Sequence, residues 1–188
     1  FQGDHHESWR GDRRTLRAGP VYNILPWQQA LFLNSVLKFL SWFQPDQTAG
    51  SIYDIPLEDL WNRGYHNIIL DIDNTITPWN QYHVNPRLDH WLRRTEKTGF
   101  RICLLSNSKQ QKVQQFAAEL GVIAAPGRGK PCVRAFQSAL SALESRSCDT
   151  LVIGDQILTD ILGGNWTGLY TILVDPMDPR EFIGTKFN

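Results

Sequence analysis

The sequence has little of what would place it outside the ordinary folded class. Its 188 residues hold three cysteines, Cys103, Cys132 and Cys148. An odd count without the paired spacing of a zinc site argues against a secreted disulfide framework and predicts a reducing compartment. There is no charge excess, because 19 basic residues meet 19 acidic ones. No overall field therefore draws the chain to nucleic acid, and no nucleic-acid partner is expected. No uninterrupted apolar run reaches the ~18 residues of a membrane span. Internal repeats and low-complexity tracts are also missing. What remains is 41% hydrophobic and 20% charged, the composition of a folded chain about one domain long.

Two regions differ in texture. Residues 1–50 read as an N-terminal extension. Phe1-Gln2-Gly3 resembles the remnant of a removed tag and is left out of the fold reading. Arg10, Arg13, Arg14 and Arg17 follow at helical spacing, although residues 1–50 carry only five basic against four acidic groups. Residues 27–43 then form an amphipathic helix. Leu31, Phe32, Leu33, Val36, Leu37, Phe39, Leu40, Trp42 and Phe43 give a wide apolar arc, Gln28, Ser35, Lys38 and Ser41 a narrow polar stripe, and Pro45 a stop.

From Ser51 to Asn188 the pattern alternates between strand and helix. Ile68-Ile69-Leu70 is too short for a helix and reads as a buried strand. Further strands are expected over 101–105, 122–125, 150–153 and 170–174. Helices are expected over 86–98, 109–120, 131–143 and 157–166, with Pro131 in the first turn of its helix. This alternation predicts an α/β fold, a Rossmann-like doubly wound parallel sheet covered on both faces.

In such sheets functional groups gather beyond the carboxyl ends of the strands. Four clusters occupy those positions: Asp71-Ile72-Asp73-Asn74-Thr75, Ser106-Asn107, Lys130-Pro131, and Gly154-Asp155 through Asp160. Each alone is an ordinary polar turn. Together they crowd carboxylates, one lysine and one hydroxyl at a single rim, which is costly unless a cation neutralises them. Oxygen ligands without histidine or cysteine suit Mg²⁺.

The four clusters, in this order, resemble the motifs of the haloacid dehalogenase (HAD) superfamily of phosphatases over residues 51–188. The strings Ser51–Ile55, Asp71–Thr75 and Gly154–Asn165 are similar to its YqeG-type branch, subfamily IIIA, which includes phosphatidylglycerophosphate phosphatases. The resemblance implies an aspartyl-phosphate mechanism with Asp71 as nucleophile and Asp73 as acid and base. It implies Mg²⁺ held by Asp71, the backbone carbonyl of Asp73, and Asp155. Ser106, Asn107 and Lys130 would bind the phosphoryl group, with Asn107 and Thr75 better suited to support than to reaction. Asp160 would serve the metal's outer shell or position Lys130. Cys103, Cys132, His83 and His90 are expected to be inert, while Trp79 and Tyr82 either contact substrate or pack over their loop.

Spacing bears on the substrate. Asp73 and Ser106 are 33 positions apart and Ser106 and Lys130 only 24, gaps that hold no folded cap domain. An open site favours a substrate whose bulk stays outside, such as a phosphorylated lipid headgroup; oligomerisation is the other way to supply a lid. The first expectation is hydrolysis of phosphatidylglycerophosphate in phospholipid biosynthesis. The chain would then sit peripherally at the cytoplasmic or organelle-interior face of a membrane, through residues 27–43. The alternatives are a phosphatase of a soluble sugar, nucleotide or polynucleotide phosphate, and a non-catalytic binding module on the same scaffold. The resemblance also implies a further basic segment beyond Asn188.

Overall fold

The structure, a computed structural model, describes residues 26–79 and 81–178. The arginines between Arg10 and Arg17 lie outside the described residues. The chain divides into two compact units, residues 1–35 and 36–188. Helix α1 runs Pro26–Ser41, begins in the first unit and ends in the second.

The second unit alternates strand and helix as predicted. Its elements are β1 (Gln47–Ala49), α2 (Leu57–Asn62), β2 (Asn67–Leu70), α3 (Pro86–Thr98), β3 (Arg101–Leu104) and α4 (Gln110–Leu120), followed by β4 (Ile123–Ala124), α5 (Val133–Leu143), β5 (Thr150–Gly154), α6 (Leu162–Thr167) and β6 (Tyr170–Val174). All strand pairs are parallel, in the order β1-β6-β5-β2-β3-β4.

Alternating side chains divide the core between the two faces of the sheet. Ile68, Leu70, Leu104, Ile153 and Ile172 pack with Leu57, Leu60, Leu88, Trp91 and Phe116. Ile69, Cys103 and Val152 pack with Ala135, Phe136, Ala139 and Leu143. All four residues of β2 are buried, so its sequence is a polar-then-apolar run rather than an alternation. Helix α3 has local signals at both ends. Asn85 accepts a hydrogen bond from the Leu88 amide at 2.9 Å, Pro86 occupies the first turn, and Gly99 closes the helix in the left-handed region.

Three details depart from the sequence reading. Strand β1 precedes the expected start of the pattern. Its Gln-Thr-Ala run carries no strand signal and is held from outside: the Asp46 carboxylate accepts from the Thr171 amide at 2.8 Å, while the Asp46 amide donates to the Thr171 hydroxyl at 3.1 Å. Pro131 is not in the first turn of α5. The Lys130–Pro131 peptide is cis, the chain turns there, and the helix starts at Val133. Residues 157–166 are not one regular helix, because Ile157–Ile161 form a π-helical turn before α6.

After α1, the Asn165 side-chain amide donates to the carbonyls of Trp42 and Gln44 at 2.8 and 3.0 Å, and Trp42 meets Trp166 edge-on. Leu37, Phe39 and Leu40, in the last turns of α1, are all more than half exposed.

Helix α6 approaches the sheet through glycine. A Cβ on Gly164 would stand 2.6 Å from Val152 Cγ1 and 2.7 Å from Thr171 Cγ2. In an open helix, Gly→Ala gains about 1 kcal/mol. Here overpacking, at ~1–3 kcal/mol, should outweigh that gain. Gly164→Ala is therefore expected to lower the urea midpoint, and a raised midpoint would show that α6 does not pack this closely.

Candidate active site

From β2 the chain proceeds to β3 and β4 on one side of the sheet, whereas β5 and β6 lie on the other. The crevice between the carboxyl ends of β2 and β5 is thus a topological switch point, where open α/β sheets place ligands. Leu70 of β2 is in register with Ile153 of β5, and the Asp71 amide continues the ladder onto the Ile153 carbonyl at 3.0 Å. Asp71 and Asp155 therefore leave neighbouring strands side by side. Ser106 follows β3, and Lys130 lies in the loop between β4 and α5. Asp71, Asp73, Thr75, Ser106, Lys130, Asp155 and Asp160 are all buried.

Carboxylate oxygens of Asp71, Asp155 and Asp160 lie within 4.8 Å of one another. The Lys130 ammonium sits among them, 2.5 Å from Asp71 Oδ1 and 2.6 Å from Asp160 Oδ1. One cation against three carboxylates leaves a negative excess when all are ionised. Burial pushes Asp71 up to about 7; Lys130 opposes the shift, and Asp160 and Asp155 add to it. Burial, reinforced by Asp160, likewise raises Asp155 to about 6. For Lys130, burial would depress the ammonium, but the Asp160 and Asp71 carboxylates outweigh it and raise its pKa. The Thr75 hydroxyl lies between the two strand-end acids, 3.4 Å from Asp71 Oδ2 and 3.3 Å from Asp155 Oδ1. Buried carboxylate oxygens in excess of the available positive charge, with no histidine or cysteine in the cluster, fit a hard divalent cation.

Local backbone features aim these groups. The π-helical turn lets Asp160 reach back, where its Oδ2 accepts from the Gln156 amide at 3.2 Å while Oδ1 holds Lys130. Such turns are frequent at functional sites. Gly154 leaves the space, since a Cβ there would run into the Asp160 carboxyl. Asn107 acts on the loop of Lys130. Its Oδ1 accepts from the Gly129 and Lys130 amides, both at 2.9 Å, and its Nδ2 donates to the Lys130 carbonyl at 3.1 Å. These bonds give Asn107 the supporting place its sequence suggested.

The carboxyl of Asp73 turns from the acidic cluster to a set of hydroxyls. Its Oδ2 accepts from Ser108 at 2.8 Å, Tyr82 at 3.2 Å and Ser106 at 3.4 Å. The sequence reading did not single out Ser108. Its one available signal is its place two residues past Ser106, in the same strand-end loop. Cys103 is buried inside β3, where burial pushes its thiol up to about 12. Cys132, His83 and His90 are exposed and stand apart from the acidic cluster. A separate cavity of about 540 Å³ opens between the carboxyl ends of α3 and α4 and shares no residue with this site.

Comparison with known proteins places the chain in a family. A HAD-hydrolase-like family profile matches residues 127–176, the stretch carrying Lys130, Asp155 and Asp160. "Probable phosphatase YqeG" of Bacillus subtilis (strain 168) is 37% identical over 146 residues, covering 78% of this chain and 85% of that protein. Phosphatidylglycerophosphate phosphatase 1, chloroplastic/mitochondrial, of Arabidopsis thaliana is 25% identical over 155 residues, covering 78% of this chain but 44% of that protein. One solved crystal structure superposes with a TM-score of 0.51 at 20% identity, over 61% of this chain and 68% of its own, and shares the fold. With the YqeG phosphatase aligned along most of its length, the chain belongs to the HAD-like phosphatases, in the YqeG-type branch.

Proposed function

We propose that this phosphatase hydrolyses the phosphomonoester of phosphatidylglycerophosphate at a membrane surface, with Asp71 as nucleophile and Mg²⁺ as its cation. The observation that carries the chemistry is the buried cluster at the switch point, with Asp71 held at 2.5 Å by Lys130 beside Asp155 and Asp160. A carboxylate oxygen of Asp71 attacks phosphorus. The bond to the ester oxygen breaks with its electron pair on that oxygen, which takes a proton from Asp73 and departs as the alcohol. Asp73 then accepts a proton from water, the hydroxide attacks phosphorus, and the acyl-phosphate bond breaks to give inorganic phosphate and the Asp71 carboxylate. Lys130, oriented by Asp160, and the hydroxyl of Ser106 stabilise the charge on the transferring phosphoryl oxygens. A divalent cation, which Asp71, Asp155 and the Asp73 carbonyl would hold, supplies the charge that lets an anionic nucleophile meet an anionic phosphate.

The lipid reading is supported by the openness of the site and by its surroundings. The β2–α3 connection is a loop, and α4 alone fills most of the β3–β4 connection, so among the described residues neither connection holds a cap domain. Exposed Trp79, Leu158 and Met177 follow β2, β5 and β6, the strand ends at the carboxyl edge of the sheet. Exposed Leu37, Phe39 and Leu40 on α1 add the kind of apolar and aromatic surface that enters a headgroup boundary. The Arabidopsis relative is named for the same lipid phosphate.

Asp71→Asn is expected to cut turnover by at least about 10³-fold while the fold persists, since the amide keeps the shape and loses the nucleophile. Unimpaired turnover in a folded variant would exclude Asp71 from that role. The raised pKa values also have a sign. In the metal-free protein, stability from protonated Asp71 and Asp155 is fully present below their unfolded value of 3.8, and is lost as pH rises through about 6 and 7. Mg²⁺ should therefore raise Tm strongly at pH 8, by the equivalent of ~2.7 kcal/mol at a hundredfold excess over Kd. At pH 5, where protons occupy the ligands, the rise should largely vanish. Equal shifts at both pH values would remove the metal from this cluster.

For the substrate, the decisive measurement pairs anionic vesicles containing phosphatidylglycerophosphate with a small soluble ester. Leu37→Asp with Leu40→Asp should slow only the vesicle reaction and reduce co-sedimentation. Parallel loss of both activities would mean that the helix serves folding. A change of mass with unchanged vesicle binding would make it a contact between copies of the chain.

A further inference from the structure

We infer that Tyr82 and Ser108 are positioning residues for Asp73, fixing the orientation of its carboxyl for proton transfer; this rests on the reading of Asp73 as acid and base. Hydroxyls from two separate loops converge on one oxygen. Ser108, in the loop after β3, donates to Asp73 Oδ2 at 2.8 Å, and Tyr82, in the loop after β2, donates at 3.2 Å. Neither residue is held by this contact alone. The Tyr82 ring packs edge-on against Phe116, with centroids 5.3 Å apart, and the Lys112 ammonium lies 5.9 Å from its centroid. Phe116 is fully buried, so Tyr82 extends the core outwards to the acid. The Ser108 amide donates to the Ser106 hydroxyl at 3.1 Å, which ties its loop to the same cluster.

The torsion that turns an aspartate carboxyl is broad and roughly two-fold, so an unsupported Asp73 would sample orientations in which its proton misses the leaving oxygen. Ser106 cannot serve as the permanent support. Its contact to Asp73 is the longest of the three, at 3.4 Å, and the mechanism calls its hydroxyl to the phosphoryl group. Tyr82 and Ser108, which the mechanism does not otherwise use, stay in place to hold the carboxyl while the ester bond breaks. Orientation of this kind matters in proportion to how much the leaving oxygen needs its proton.

The test uses Tyr82→Phe and Ser108→Ala, each removing one hydroxyl, alongside Ser108→Thr, Asp73→Asn and the Tyr82→Phe/Asp73→Asn double variant. Rates are measured on an alkyl phosphate and on p-nitrophenyl phosphate, whose leaving group departs without protonation. Each hydroxyl deletion should lower kcat about tenfold on the alkyl ester and much less on the p-nitrophenyl ester. Ser108→Thr should restore the rate, and the double variant should be no slower than Asp73→Asn alone, as expected of residues acting through one group. Losses equal on both esters, no loss, or a rise confined to KM would overturn the inference while leaving Asp73 in place. If Asp73→Asn is itself indifferent to the leaving group, the acid–base reading fails and the positioning role fails with it. Should Tyr82→Phe unfold, Ser108→Ala and its threonine rescue decide the matter.

Discussion

The constraint on which the rest of the site depends is the confinement of three carboxylates with a single lysine where β2 and β5 part. Asp71, Asp155 and Asp160 are removed from water and lie close together, with Lys130 paired to Asp71 and Asp160. The elevated proton affinities of Asp71 and Asp155 come first from burial, with Asp160 adding to both and Lys130 opposing both. A buried acidic cluster favours added positive charge, whether as protons at low pH or as a hard cation at neutral pH. The reactivity expected of Asp71 and the demand for a metal thus have one electrostatic origin.

Holding that arrangement requires support from several directions. The ladder between β2 and β5 brings the first two acids side by side, and the π-helical turn with Gly154 brings the third beneath them. Asn107 holds the backbone on either side of Lys130, so the lysine is placed by a loop that is itself hydrogen-bonded to the end of β3. Thr75 spans the gap between Asp71 and Asp155. Asp73, although two residues from Asp71, has a carboxyl oxygen that accepts from the hydroxyls of Ser108, Tyr82 and Ser106. Asp71, paired with Lys130, and Asp73, among hydroxyls, thus have different surroundings within five residues, as the roles proposed for them require.

The surroundings of the site are as instructive as its centre. Among the described residues, neither the β2–α3 nor the β3–β4 connection holds an inserted domain that could close over the strand ends. Exposed apolar residues follow those same strands. An open site of this kind suits a phosphate presented from a surface better than a metabolite that must be enclosed.

The amino-acid sequence by itself determined the α/β class, the parallel sheet, most helix limits and the positions of the four strand-end clusters. These features are written locally: a buried central strand is a short apolar run, Asn85-Pro86 and Gly99 bracket a helix, and functional loops follow strands. Tertiary structure alone decided what depends on partners distant in the chain. Strand β1 exists because Asp46 clamps Thr171, 125 positions away, and its three residues carry no signal of their own. Asn107 reads as a phosphate contact or a support, and only the fold shows that the support is given to the loop of Lys130. Pro131 reads as a helix start until the turn at its cis peptide delays α5 by two residues. Ser108 is an ordinary loop residue in sequence, and Tyr82 reads only as a substrate contact or as packing over its loop; they meet because β2 and β3 are neighbours and their loops close over the same carboxylate. Local periodicity and capping are short-range effects that one stretch of chain can express, whereas the convergence of hydroxyls and charges on a single oxygen is a property of the folded sheet.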